Sequence, residues 1–187
     1  MSHVHADWLT RPERVQEEQP DRLVRALRIP NGATVVDLGA GVGYFTWRLA
    51  RAVGPNGRVI ATDIQPEMLE MLAANMRKRG VGNVTTVLAK DDDPGLPSGN
   101  VDLVLMVDVY HELSRPRLNL ERIRTALSTG GRLVLVEYRD EPQIPIHPLH
   151  KMSVGQVRAE VEPAGFELVE VLGFLPSQDV IIFTPVQ

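Results

Sequence analysis

Val35-Val-Asp-Leu-Gly-Ala-Gly-Val-Gly-Tyr-Phe-Thr46 is the stretch of sequence that decides the fold of this chain. Its first four residues predict a buried β-strand, and the helical period of the apolar residues from Tyr44 to Val53 predicts a helix. The three glycines between them let the backbone approach a ligand closely and leave N–H groups that point at it. The stretch therefore predicts a ligand-binding turn between a strand and a helix.

The spacing of these glycines disfavours a nicotinamide dehydrogenase. A dinucleotide-binding turn reads G-x-G-x-x-G, and its third glycine allows close packing of the helix on the strand. Counted from Gly39, the third position is Tyr44, and counted from Gly41 it is Thr46. A bulky tyrosine would block that packing, so a different ligand is expected.

Apolar runs alternate with helical patterns along the whole chain. The runs predict strands at 35–38, 58–62, 84–88, 101–107, 133–138, 166–172 and 180–184, and the helical periods predict helices at 20–28, 44–53, 66–79, 116–128 and 153–164. Gly130-Gly131 is expected to end the helix at 116–128, and Ser153 is expected to N-cap the last helix. Strands separated by helices of this length predict β-α-β units and a mostly parallel sheet, with the last two strands as a hairpin-like pair. Residues 20–187 are therefore predicted to form one α/β domain, preceded by a polar arm or lid at 1–19.

The composition narrows the partners and the location. The 187 residues carry a net charge of −4, whereas phosphate binding needs a surplus of Lys and Arg on one face, so nucleic acid is disfavoured as a partner. The absence of cysteine excludes disulfides, thiolate metal sites and a Cys nucleophile. The chain has no signal-type start and no apolar run approaching about 18 residues, which predicts a cytoplasmic protein with no membrane partner.

With Asp37 at the end of its strand, the opening stretch reads D-x-G-x-G-x-G. This pattern resembles motif I of the class I S-adenosylmethionine-dependent methyltransferases. In that family the loop surrounds the methionine part of the cofactor, and the acidic residue lies near its amino group. The resemblance implies S-adenosylmethionine as cofactor and S-adenosylhomocysteine as product. It assigns cofactor contacts to Asp37, Gly39, Ala40, Gly41 and Gly43, with Tyr44 bordering the cofactor at the end of the loop.

Acidic residues also follow the next two predicted strands. Asp63 ends the second strand, 20 residues beyond the last glycine of the loop, where a carboxylate can accept both ribose hydroxyls. Ile64 would follow it against the adenine. The family has a further acid near the adenine amino group after its third strand. Counting back from residues 96–97 favours Asp92 for this position, with Asp91 as the alternative.

The resemblance continues through the fourth and fifth strands. Residues 101–104 resemble the family's fourth strand, which leads to Asp108 as a further cofactor residue, and residues 130–136 resemble its fifth. The resemblance implies a Rossmann-like methyltransferase fold, with a seven-stranded, mostly parallel sheet, helices on both faces and an antiparallel C-terminal strand. A Leu-His-Lys-Met segment at 149–152 is similar to one in small single-domain methyltransferases, but it supplies no substrate.

The chemistry of methyl transfer points to the ends of the strands for catalytic groups. Transfer from a sulfonium is an in-line displacement, and only some acceptors also need a base. Ligands of open α/β sheets sit beyond the carboxyl ends of the strands, where Tyr110 and His111 follow the fourth strand. His111 is the predicted base because imidazole exchanges a proton near neutral pH, unless it packs on the cofactor or caps a turn. Tyr110 is predicted to stack on or orient the acceptor, unless it only packs.

The sequence predicts no metal site. Glu137, His147 and His150 could together hold an ion, but their spacing is not diagnostic, and Glu137 could equally bind substrate or lie solvated. His3 and His5 lie on a polar terminus, where an unstructured segment is expected in place of a metal site.

Only two short segments, 1–19 and 141–152, are available to cover the ligand site. This predicts a small acceptor, methylated at O, N or S, or an exposed side chain of a partner protein. A homodimer stays open. The alternative function is a non-catalytic, cofactor-binding scaffold on the same fold, which would be marked by a spoiled glycine loop or a lost ribose acid. The sequence has neither.

Overall fold

The computed structural model describes residues 8–186. Its strands are β1 (Thr34–Leu38), β2 (Arg58–Asp63), β3 (Val84–Leu88), β4 (Val101–Val107), β5 (Leu127–Tyr138), β6 (Phe166–Leu172) and β7 (Gln178–Pro185). Its α-helices are α1 (Arg14–Glu18), α2 (Pro20–Ala26), α3 (Thr46–Val53), α4 (Pro66–Lys78), α5 (Pro116–Ala126) and α6 (Val154–Val161). Short 3-10 turns lie at Tyr110–Glu112, Pro148–His150 and Glu162–Ala164.

The seven strands form one sheet in the order β3-β2-β1-β4-β5-β7-β6. Strands β1 to β5 pair in parallel, and β7 runs antiparallel between β5 and β6. This confirms the predicted α/β fold with an antiparallel C-terminal strand. The strand order reverses between β1 and β4, and open α/β sheets bind their ligands beyond the carboxyl ends of the strands at such a reversal.

The strands divide their side chains between two apolar cores, one on each face of the sheet. Val36 and Val104 pack in one core with residues of α5 and α6. Their neighbours Val35 and Leu103 pack in the other core with residues of α2 and α3. The parallel strands are apolar on both faces because helices cover both sides. The predicted covering of both faces is therefore confirmed.

Several predicted helix boundaries differ from the structure by one to three residues, and two of these differences have a clear local cause. Helix α3 begins at Thr46 and not at 44, because the turn that follows Gly43 extends through Phe45. Helix α6 ends at Val161 and not at 164, because Pro163 has no N–H to continue the helical hydrogen bonds. At its start α6 has Ser153 as the predicted N-cap, in a capping box with Gln156.

The pair Gly130-Gly131 also has a different role from the predicted one. Gly130 and Gly131 were expected to end helix α5, but the strand already begins at Leu127, directly after α5. Val101 pairs with Leu127 and Leu103 with Arg132, so the glycines lie in an irregular step of the strand. Gly130 has a φ of 79°, a left-handed conformation that glycine adopts without strain and that lets the strand bend there.

Across residues 8–186, none of the helices combines the length and the apolar character needed to cross a membrane.

Candidate cofactor and active site

A cavity of about 310 Å³ opens beyond the carboxyl ends of β1, β2 and β4, where the strand order reverses. The glycine loop, the ends of these strands, His111 and the segment 8–18 all contribute to its wall. The cavity therefore joins the predicted cofactor loop and the predicted base in one space.

Gly39 and Gly43 give the loop a backbone shape that residues with a side chain rarely adopt. Their φ angles are 73° and 87°. A Cβ on Gly39 would lie 2.5 Å from the side chain of Val109, and one on Gly43 would lie 2.9 Å from α4. The amides of Gly39 and Ala40 donate to the carbonyl of Thr62 at 2.8 and 2.9 Å, which ties the loop to the end of β2. The loop is thus a backbone wall that a ligand can approach closely.

Asp63 links the glycine loop to the end of β2. Its side chain is buried, Oδ2 accepts the amide of Gly41 at 3.0 Å, and Oδ1 accepts the amide of Gln65 at 2.9 Å. Each carboxylate oxygen keeps a further lone pair for a ligand. Ile64 is exposed and lines the cavity beside it. The predicted ribose acid and its apolar neighbour are therefore together at the wall.

Asp37 lies below the glycine loop with its side chain almost wholly buried. The hydroxyl of Thr46 donates to its Oδ2 at 2.6 Å. Burial raises the pKa of Asp37 to about 6, although the Thr46 hydrogen bond and the charge of Arg14 act against the rise. The nearby carboxylate of Asp63 raises this pKa further.

Two more carboxylates with perturbed ionisation line the same cavity. Asp108 accepts two bonds of 2.9 Å from the side-chain amide of Gln178, and burial raises its pKa well above the usual range, with help from Glu18 and Glu137. Burial also raises the pKa of Glu18, although Arg14 pairs with it. A buried acid whose pKa is raised in this way ionises more readily when a cation enters. The charge of the cavity therefore suits a positively charged ligand.

His111 is held by a wholly buried carboxylate at the end of β5. Oε2 of Glu137 lies 2.6 Å from Nδ1 of His111, and Oε1 accepts the amide of Tyr110 at 2.9 Å. A carboxylate only accepts, so Nδ1 carries the proton and Nε2 is the ring nitrogen that keeps a lone pair. Nε2 lies 2.9 Å from Nδ1 of His150, at the wall of the cavity. Glu137, which the sequence left without a definite role, thus orients His111.

Tyr110 does not line the cavity. Its ring is 2% exposed in the apolar core, and its hydroxyl donates to Glu160 at 3.0 Å. Burial raises the pKa of this hydroxyl, with Glu160 adding to the rise. Tyr110 therefore links the 3-10 turn to α6, and its side chain does not reach the cavity in which an acceptor would bind.

Asp91 and Asp92 also lie outside the cavity wall. The chain turns away after β3, where the Lys90 amide donates to the carbonyl of Asp93, so both acids are carried toward α5. There Asn119 donates to the backbone carbonyl of Asp91, and Asp92 lies 3.8 Å from the guanidinium of Arg115. Neither of the two acids predicted near the adenine lines the cavity in this structure, and Ala89 is the residue of this segment that does.

The segment before α2 contributes residues that the sequence did not single out for the cofactor site. Arg14 and Glu18 of α1 are buried, and both line the cavity with Trp8 and Leu9. The guanidinium of Arg14 lies 4.2 Å from the ring centroid of Tyr44. No sequence pattern marks so short a polar helix, because its burial comes only from the fold.

The C-terminal histidines are brought together differently from the sequence expectation. His150 lies beside His111, whereas Glu137 is behind the His111 ring and faces away from His150. Nδ1 of His147 accepts the amide of Leu149. His3 and His5 lie outside the described residues.

A family described as a methyltransferase domain matches residues 29–167. The ubiquinone/menaquinone biosynthesis C-methyltransferase UbiE of Pasteurella multocida is 29% identical over 82% of this chain and 60% of its own length. An arsenite methyltransferase of Halobacterium salinarum is 28% identical over 75% of this chain and 39% of its own length. The chain therefore spans less than two thirds of the length of these curated relatives.

A solved structure agrees with the family match over the whole chain. The structure of a SAM dependent methyltransferase from Aquifex aeolicus aligns with a TM-score of 0.94 at 25% identity and covers 100% of both chains. The family match includes β1 to β5, with the glycine loop, Asp63 and His111. The chain therefore belongs to the methyltransferase-domain family, and S-adenosylmethionine is its cofactor.

Proposed function

We propose that this protein transfers the methyl group of S-adenosylmethionine to a small acceptor that is held beside His111. The observation that carries the proposal is the single cavity that joins the glycine loop, Asp63 and Nε2 of His111. A scaffold that only binds the cofactor has no need for a histidine that is oriented by a buried carboxylate in the same space.

The cofactor fits this wall chemically. We assign the ribose hydroxyls to Asp63, the adenine to the apolar side chains of Ile64 and Met68, and the methionine part to the glycine loop. The sulfonium and ammonium charges would lie among the buried acids Asp37, Glu18 and Asp108. When bound, the cofactor supplies a methyl group carried on a sulfonium, and this methyl group is transferred by in-line displacement of the sulfur.

His111 is the group that we assign to the acceptor. An acceptor with an O–H or N–H group loses a proton as its new bond to carbon forms, and Nε2 can take that proton while Glu137 stabilises the charged ring. The sequence predicts that the methylated atom of the acceptor is O, N or S. The names of the two curated relatives, a C-methyltransferase and an arsenite methyltransferase, extend the atoms that should be tested to carbon and arsenic.

The covers of the cavity support a small acceptor. Trp8 and Leu9 line it from the N-terminal side, and Ile146 lines it from the segment between β5 and α6. Both covers are short, and both bring apolar side chains to a wall that otherwise carries charges. A small molecule with an apolar body fits such a roof better than a macromolecule does.

Thermal unfolding with added ligands tests the cofactor assignment. S-adenosylmethionine and S-adenosylhomocysteine, added separately, should each raise the midpoint of unfolding, and NAD should not, because a ligand that binds only the folded state stabilises it. Asp63→Ala should show a clearly smaller rise at the same ligand concentration, whereas Asp92→Ala, which changes an exposed acid outside the cavity, should show the full rise. A rise with NAD and none with the adenosyl sulfur compounds would overturn the proposal.

An acceptor screen then tests methyl transfer itself. Small phenols, quinols, amines, thiols and arsenite would be incubated with the cofactor, and S-adenosylhomocysteine would be measured as the product. Wild-type protein should form it with at least one class, and His111→Ala should form far less. Cofactor binding without product in any class would favour the scaffold.

A further inference from the structure

Three side chains that commonly ligate metals meet on the cavity wall. One ring nitrogen each of His111 and His150 and a carboxylate oxygen of Glu112 all lie within 4.8 Å of one another. All three residues line the cavity. His150 comes from a turn 39 residues beyond His111, so only the folded chain brings this cluster together.

We propose that His111, Glu112 and His150 form a binding site for a divalent transition-metal ion of the Zn²⁺ type. Imidazole nitrogens and a carboxylate oxygen are zinc ligands, and two histidines with one glutamate form a three-ligand set that leaves a fourth position open. Mg²⁺ and Ca²⁺ prefer sites made of oxygen ligands, whereas this cluster offers two nitrogens. Its chemistry therefore favours Zn²⁺ or Co²⁺.

The support behind His111 is the strongest argument for this site. Histidines that bind metals almost always donate their other ring N–H to a carboxylate or carbonyl, which fixes the tautomer and makes the ligand nitrogen more basic. Glu137 provides this support at 2.6 Å from Nδ1. It is wholly buried and is itself fixed by the Tyr110 amide. Nε2 of His111 is thus pre-oriented toward the cluster.

The two imidazole nitrogens need only a small adjustment, and the exposed Glu112 carboxylate, which lies within 4.8 Å of them, would move in to complete the site. Two nitrogen ligands of a tetrahedral zinc ion lie about 3.3 Å apart, given Zn–N bonds of about 2.0 Å. Nε2 of His111 and Nδ1 of His150 are 2.9 Å apart. His150 is exposed on the short 3-10 turn Pro148–His150, so its ring can move back by the required few tenths of an ångström while the partly buried His111 is held in place by Glu137.

A bound ion would act on the transfer reaction directly, and this step rests on the proposed function. The ion would occupy Nε2 of His111, which is the nitrogen assigned to the acceptor's proton. The same lone pair cannot hold both. Zn²⁺ should therefore inhibit methyl transfer, and a chelator should restore it.

Cobalt titration tests the site without cofactor or acceptor. The protein would be untagged full-length chain with His3→Ala and His5→Ala, so that three histidines remain. Visible absorption bands of Co²⁺ report nitrogen ligation and coordination geometry, and Zn²⁺ should displace the Co²⁺. His150→Ala and Glu112→Gln are the test variants. His147→Ala is the matched control, because His147 lies on the same segment but outside the cluster.

The expected result is tight binding of one Co²⁺ per chain that His147→Ala leaves unchanged. His150→Ala should weaken it at least ~100-fold, and Glu137→Gln should weaken it by roughly 10- to 100-fold through loss of support for His111. Equal binding by wild type and His150→Ala would overturn the site, and so would the absence of the Co²⁺ bands. Because the titration contains neither cofactor nor acceptor, its result tests the metal site alone. The metal-site proposal can therefore be overturned without affecting the methyl-transfer proposal, and the methyl-transfer proposal can be overturned without affecting the metal site.

Discussion

The cofactor half and the acceptor half of the cavity are built in different ways. The glycine loop and the ribose acid of the cofactor half come from one β-α-β unit, in which the loop follows β1 and Asp63 ends β2. The acceptor half joins His111 to Glu137, 26 residues away, and to His150, 39 residues away. The segment 8–18 then closes over the cavity from the other end of the chain.

This difference teaches which kind of site a sequence can reveal. The loop and Asp63 depend on short-range spacing, since parallel pairing of β1 with β2 sets their distance. The acceptor half depends on the pairing of β4 with β5, which aligns Val107 with Val136 and so brings Glu137 beside the turn that carries His111. The two halves should therefore respond separately to substitution.

The largest expected effect is on turnover, at His111. His111→Ala should lower turnover ~10²- to 10⁴-fold, the usual contribution of a general base, and should leave affinity for S-adenosylmethionine nearly unchanged. Steady-state kinetics and calorimetry measure the two quantities. His147→Ala is the control on the neighbouring turn. If affinity and turnover fell together, the two halves would not be separable.

The second effect is on cofactor affinity, at Asp63. Asp63→Ala should weaken S-adenosylmethionine binding by roughly 10- to 100-fold, because hydrogen bonds to a charged group are worth about 1.5–3 kcal/mol. Calorimetry measures the dissociation constant, and Asp92→Ala serves as the exposed control. Unchanged affinity would remove Asp63 from the ribose.

The third effect is the pH dependence of cofactor affinity, which depends on the ionisation of Asp37. The pKa of Asp37 is about 6 in the protein without ligand, so Asp37 holds its proton below that pH. The positive amino group of the cofactor favours the ionised form, so affinity should be full above pH 6 and fall about tenfold per unit below it. Arg14 and Asp63 are the charges that also act on this group. Asp37→Asn should bind more weakly at pH 7.5 and lose this slope. An unchanged slope would assign the titration to another acid.

The smallest effect separates a packing residue from an acceptor residue. Tyr110→Phe removes the hydroxyl that donates to Glu160 and should lower the free energy of unfolding by about 0.5–1.5 kcal/mol, with turnover unchanged. Denaturant unfolding and kinetics measure these quantities. A large loss of turnover at full stability would return Tyr110 to the acceptor, as the sequence suggested.

Much of the fold follows from patterns of a few residues. Alternating strands and helices predicted the sheet, and Ser153 predicted the N-cap of α6, where the structure adds a capping box with Gln156. Gly130 and Gly131 misled, because glycines permit both a helix end and a bend in a strand, and only the pairing with β4 selects one. For Tyr110 the sequence left two roles open, and only the fold shows that its ring packs in the core while His111, the next residue on the 3-10 turn, lines the cavity.

The sequence by itself determined the fold class, because strand and helix patterns alternate along the whole chain. It also determined the glycine loop and Asp63, because their positions depend on residue spacing within one β-α-β unit. The tertiary structure alone decided that Glu137 supports His111, that His150 joins it, and that Arg14 and Glu18 close the wall. These contacts link distant parts of the chain, and their distances are set by strand order and packing. No local pattern carries that information.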